Sequence, residues 1–95
     1  MIFEDNQFDA YFLAITKKIE EENESQLEKW GVQIKHVFEW LAWATEEYGE
    51  FIKELNELNY QRSFDYDKAI KEGIQTTTLL IKMIACLMHI QEAEQ

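Results

Sequence analysis

The sequence predicts an all-α fold, an antiparallel helical bundle completed by oligomerisation. Three observations carry this. Apolar residues recur at spacings of three and four along most of the chain. The 95 residues include no proline and only three glycines, as expected of long helices with short connections and not of a sandwich or barrel. Finally, the run from Leu79 to Ile90 is apolar around nearly the whole helical circumference. A helix of that kind must be buried all round, and two companions in so short a chain cannot surround it, so a second copy is expected to supply the missing cover.

Asp5 or Asn6 is placed to cap a first helix that runs to about Glu28, with Phe8, Phe12, Ile15 and Ile19 at helical spacing and Tyr11 beside them. The stretch from Ile19 to Glu28 is strongly acidic and reads either as a solvated extension or as a break. Lys29-Trp30-Gly31-Val32-Gln33 then interrupts the pattern, and Gly31 suits a helix C-cap or a turn. A second helix is expected from about His36 to Leu58. Its apolar stripe is Val37, Trp40, Leu41, Ala44, Phe51, Ile52 and Leu55. Glu47 falls at the edge of that stripe, whereas Glu50, Glu54 and Glu57 lie further toward water, and Glu54 and Glu57 read as solvated charges. Asn59 to Asp67 is a polar loop in which Ser63 or Asp65 starts a third helix that ends near Glu92.

The length allows one domain, 1–95, and an apolar content of 46% with 14% aromatics excludes disorder. A formal net charge of −10 repels DNA and anionic lipid, because the few lysines and arginines are scattered. A phosphate-bearing ligand would need a metal bridge to such a surface. Cys86 is the only cysteine, so no intrachain disulfide forms, and its apolar surroundings make it core filler rather than a nucleophile. The amino terminus has neither the basic nor the apolar region of a signal peptide. The run from Leu79 to Ile90 is too short for a membrane span and contains Lys82 and His89. A soluble, cytoplasmic protein with no DNA and no membrane partner is expected.

The chemistry concentrates in Trp40-Leu41-Ala42-Trp43-Ala44-Thr45-Glu46-Glu47-Tyr48-Gly49-Glu50. On a helix, Glu47 and Glu50 stand on neighbouring turns, where like charges repel. Near Trp40, Trp43 and Phe51 the repulsion grows, because burial disfavours the ionised form. A divalent cation relieves it, carboxylate oxygens being the ligands that Mg²⁺ and Mn²⁺ prefer. Glu72 and Gln75 repeat the spacing of three downstream. Two such pairs on antiparallel helices can converge on one metal site.

These segments together resemble a known family. Gln26-Leu-Glu-Lys29-Trp30-Gly31-Val32-Gln33, Glu39-Trp40-Leu41-Ala42, Glu46-Glu47-Tyr48-Gly49-Glu50 and Glu72-Gly73-Ile74-Gln75 look like the MazG-like nucleotide pyrophosphohydrolases, in particular the short branch common in phages and prophages. The resemblance covers roughly Gln26 to Ile84. It implies an all-α fold assembling as dimers or dimers of dimers. It also implies Mg²⁺-dependent cleavage of a nucleoside triphosphate between the α and β phosphates, giving the monophosphate and pyrophosphate. The family motif, E-x-x-E followed by E-x-x-D, assigns Glu47, Glu50 and Glu72 as metal ligands. Gln75 stands where most of the superfamily has Asp, and still offers a carbonyl oxygen but no charge.

Hydrolysis of a phosphoanhydride needs neutralisation of the triphosphate and an oriented water. Glu46 is the candidate base, against the plainer reading of a solvated helix residue. Trp30, Gln33 and Trp43 are candidate base-pocket residues, tryptophan for its stacking face and glutamine for its two-way amide, while Lys35 is placed to face phosphate. Trp30 has the rival reading of a residue packed over the core edge, and His36 reads as a polar residue at a helix start. A second function class stays open, a non-catalytic helical dimer that binds a nucleotide or a protein; the missing Asp and the shortage of Arg favour it. A redox dinuclear carboxylate bundle is disfavoured, because its Glu-x-x-His pairs are absent.

Overall fold

A computed structural model describes residues 3–30 and 37–94, with backbone alone at 29 and 30. The described chain is all-α: α1 spans Asp5–Trp30, α2 Val37–Asn59 and α3 Tyr66–Ala93. α1 therefore continues through the acidic stretch after Ile19 without a break. It is capped one residue earlier than Asp5. The Glu4 carbonyl accepts from the backbone N–H groups of Gln7 and Phe8 at 3.0 Å, and the Gln7 side chain accepts from the Glu4 N–H at 2.8 Å. This reciprocal arrangement satisfies donors that the first turn otherwise leaves free.

α2 closes in a Schellman motif. Gln61 takes a φ of 57°, the Arg62 N–H donates to the Glu57 carbonyl at 2.9 Å, and the Gln61 N–H donates to the Leu58 carbonyl at 3.1 Å. Of the two expected starters of α3, Asp65 is the cap: its side chain accepts from the Lys68 N–H at 3.0 Å, and its own N–H donates to Ser63 Oγ at 3.1 Å.

α3 is the central element. α2 lies antiparallel along it, meeting it at 40, 44, 47, 51 and 54, a seam with alternating steps of four and three. Trp40, Ala44 and Leu79 form the core at one end, with Trp43, Met83 and Cys86 partly buried against them. Midway, Gly73 admits the Phe51 ring, since a Cβ on Gly73 would stand 3.1 Å from Phe51 Cε1. Three successive threonines enter this packed region, and each hydroxyl donates to the carbonyl four residues back: Thr76 to Glu72, Thr77 to Gly73 and Thr78 to Ile74. Among the described residues the backbone of α1 runs close to that of α3 and not to that of α2.

The seam corrects two readings. Glu54 is not a solvated charge: it is 5% exposed and pairs with Lys68 at 3.2 Å. It is the next step of the 40-44-47-51 progression, so the helix carries it inward despite its charge. Conversely Leu41, Ile52 and Leu55, counted in the apolar stripe, are exposed, because only one edge of that stripe meets α3 and nothing in the described chain covers the other. The same holds for Leu80, Ile81, Ile84, Leu87 and Met88 on α3 and for Phe8, Phe12 and Ile15 on α1. Among the described residues one helix, α3, is long and apolar enough to cross a membrane by length and composition. The helix extends the apolar run upstream through Ile74 and the threonines, which the span from Leu79 to Ile90 alone does not reveal. The core helix of a bundle has the same composition.

Candidate functional site

Position 47 faces α3 because it lies on the seam between Ala44 and Phe51. Glu72 and Gln75 face α2 for the same reason, one turn apart on α3. The three side chains meet, all half-buried. With its amide nitrogen turned inward, Gln75 Nε2 donates to Glu47 Oε2 at 3.0 Å and to Glu72 Oε2 at 3.1 Å. Burial raises the Glu47 carboxyl above the ordinary glutamate value, and the Glu72 carboxylate beside it raises it further, with smaller contributions from Glu46 and Glu50.

Beside this cluster a cavity of about 240 Å³ opens between all three helices. Trp43, Glu46 and Glu47 of α2 line it, with Gln75 and Leu79 of α3 and Glu22 and Gln26 of α1. Trp43 stands edge-on to Trp40, ring centroids 5.7 Å apart, which fixes the indole that faces the cavity. The volume falls below the roughly 300–1,000 Å³ of most small-molecule pockets, and is enough for a base-sized part of a ligand.

The structure thus brings together five of the expected residues, Trp43, Glu46, Glu47, Glu72 and Gln75. Glu50 is not among them: it is exposed, off the seam, and touches the cluster only as a minor repulsion on Glu47. Among the described residues no group of three or more His, Cys, Asp or Glu side chains is arranged to hold a metal ion. Gln33, Lys35 and His36, and the side chain of Trp30, lie outside the described residues.

Two cavity residues were not anticipated, Glu22 and Gln26. Gln26 is 5% exposed, donates to Glu22 Oε1 at 3.0 Å and accepts from Lys82 Nζ. The Lys82 ammonium also sits 5.3 Å from the centre of the Trp40 ring, and burial lowers its pKa below the usual lysine value. A signal existed in the sequence. The stripe Phe8, Phe12, Ile15, Ile19 continues by the same steps to Glu22 and Gln26, and a lysine inside an apolar helix demands a polar partner.

Comparison of the chain with family profiles, curated proteins and solved structures finds no match to any of them.

The donor set fits a hard divalent cation. Two carboxylates that repel each other and one carboxamide oxygen are ligands that Mg²⁺ accepts, the ion keeping several waters besides. Nitrogen-inward, the Gln75 amide bridges the two carboxylates; oxygen-inward, it would offer a third oxygen to a cation held by Glu47 and Glu72.

Proposed function

We propose that the chain is a Mg²⁺-dependent nucleoside triphosphate pyrophosphohydrolase that works as a homo-oligomer, converting a (d)NTP to the monophosphate and pyrophosphate. The observation that carries the reading is the meeting of Glu47, Glu72 and Gln75 across the α2–α3 seam beside a cavity lined by Trp43 and Glu46. Glu47, Glu72 and Gln75 hold the cation, with Glu50 assigned to it through the family resemblance; Mn²⁺ can replace Mg²⁺ on the same oxygens. The cation supplies charge neutralisation on the triphosphate. Glu46 accepts the proton of the attacking water, Trp43 stacks on the base, and Trp30, Gln33 and Lys35 complete the contacts to base and phosphate. A helical bundle closed by a second copy, in the cytoplasm, suits this reading.

A second reading has its own support. The absence of a three-acid group among the described residues, together with Gln75 in place of Asp, favours a non-catalytic helical dimer that binds a nucleotide or a protein. A screen of canonical and damaged nucleotides with Mg²⁺ and with Mn²⁺ separates the two. Metal-dependent release of pyrophosphate supports the enzyme, and nucleotide binding without turnover supports the binder.

A further inference from the structure

We propose that Glu22, oriented by Gln26 and Lys82, selects the base of the nucleotide, favouring bases with an exocyclic amino group over the keto bases uracil, thymine and hypoxanthine. The inference rests on the nucleotide reading of the cavity and adds a preference to it.

Gln26 sets the polarity of the α1 wall. It is 5% exposed, so both ends of its amide need partners within the protein. The oxygen accepts from Lys82 Nζ, and the nitrogen donates to Glu22 Oε1 at 3.0 Å. An ammonium donates and cannot accept, and an ionised carboxylate accepts and cannot donate. The amide therefore has one satisfied orientation. Turned over, it would set its N–H groups against the ammonium and its oxygen against the carboxylate. Lys82 is itself half-buried, its ammonium 5.3 Å from the centre of the Trp40 ring. The chain from Lys82 through Gln26 to Glu22 ties α3 to α1 beside the cavity and makes Lys82 a positioning residue.

What the cavity offers a ligand follows from this order. Gln26 occupies one of the roughly four acceptor sites of the Glu22 carboxylate, and the others remain for a ligand. Glu22 on α1 and Glu46 on α2 line the cavity from two helices, with the Trp43 indole as an apolar wall. The polar rim is thus rich in acceptors. An amino group answers it with N–H donors, the pairing that a glutamate makes with the cytosine 4-amino group. A keto oxygen in the same place would oppose the carboxylate and leave a partly buried acceptor unpaired.

The test is equilibrium binding of α,β-methylene triphosphates in Mg²⁺, whose bridging carbon prevents cleavage and separates preference from turnover. Two pairs isolate the amino group, cytidine against uridine and guanosine against inosine. In each pair that binds, the amino member should bind at least about tenfold tighter. Glu22→Gln keeps an oxygen for Gln26 and turns an NH2 group toward the ligand, so the preference should vanish or reverse. Lys82→Met frees the Gln26 amide to turn and should weaken the preference, and Lys82→Arg should restore it. Should Lys82→Met fail to fold, Glu22→Gln decides alone, since its side chain is half-buried and the change nearly isosteric. Equal binding within each pair, or a preference that survives Glu22→Gln, would overturn the proposal and leave the nucleotide reading standing. Binding of none of the four analogues would overturn both.

Discussion

Glu47 of α2 and Glu72 of α3 meet across one helix seam with a single amide, that of Gln75, in reach of both carboxylates. The pair is costly without a cation, and the cost has a pH signature. Glu47 titrates above its unfolded value, so the folded chain binds this proton more tightly than the unfolded one. Its destabilising effect is full above the raised value and fades as pH falls through it toward the ordinary glutamate range. Glu47→Gln should therefore melt a few degrees higher than wild type in chelator at neutral pH and above. The advantage should shrink as the solution is acidified, and thermal melts across pH with and without Mg²⁺ check both halves.

Gln75→Asp adds a fourth carboxylate, counting Glu50, to the expected cation ligands. A unit-charge contact in a partly buried place is worth a few kcal/mol before desolvation, so the net gain in Mg²⁺ affinity should be about tenfold, or about 1.4 kcal/mol. In chelator the same variant should melt earlier than wild type, because the new charge joins Glu47 and Glu72. Titration calorimetry and melts with and without metal read the two effects. If neither changes, Gln75 does not belong to a cation site.

The Glu54–Lys68 pair should respond asymmetrically. Lys68→Met leaves the Glu54 carboxylate buried and unpaired, whereas Glu54→Leu leaves an exposed lysine in water and an apolar side chain on the seam. Urea midpoints should place Lys68→Met well below wild type and Glu54→Leu close to it. Equal losses would show that the pair is not what holds this end of the seam.

The two helical glycines with described surroundings should also separate. A Cβ on Gly49 meets nothing within 4 Å, so Gly49→Ala should stabilise the cation-free chain by about 0.5–1 kcal/mol through helix propensity. At Gly73 the new methyl stands 3.1 Å from the Phe51 ring, and displacing a packed ring costs about 1–3 kcal/mol, so Gly73→Ala should be net destabilising. Paired with Phe51→Leu, the loss should shrink, a coupling that a double-mutant cycle in urea measures.

The helices were legible because their signals are local. Proline absence, periodicity and the Asp65 cap need no knowledge of neighbours. Glu47, Glu72 and Gln75 were legible as polar residues beside the helix stripes, whereas the spacing of three that paired Glu47 with Glu50 misled, because Glu50 lies off the seam and is exposed. Glu54 was not legible, because a helical wheel ranks residues by the average direction of apolar neighbours. The seam instead follows the actual line of contact with α3, which runs on through position 54. Glu22 and Gln26 were passed over because they are polar: the apolar stripe of α1 ends at Ile19, and the same steps of three and four carry the covered face on from Ile19 to Gln26. The exposure of Leu41, Ile52 and Leu55 marks where a stripe is wider than the one helix it packs against.

The most direct measurement of the central claim is phosphorus NMR of nucleoside triphosphates incubated with the chain and Mg²⁺, wild type beside Glu72→Gln. Monophosphate and pyrophosphate should appear with wild type, should require the metal, and should fall at least a hundredfold in rate with Glu72→Gln, in line with loss of one charge-stabilising group. Triphosphates left intact by a folded, oligomeric wild type, or cleaved equally well by Glu72→Gln, would contradict it.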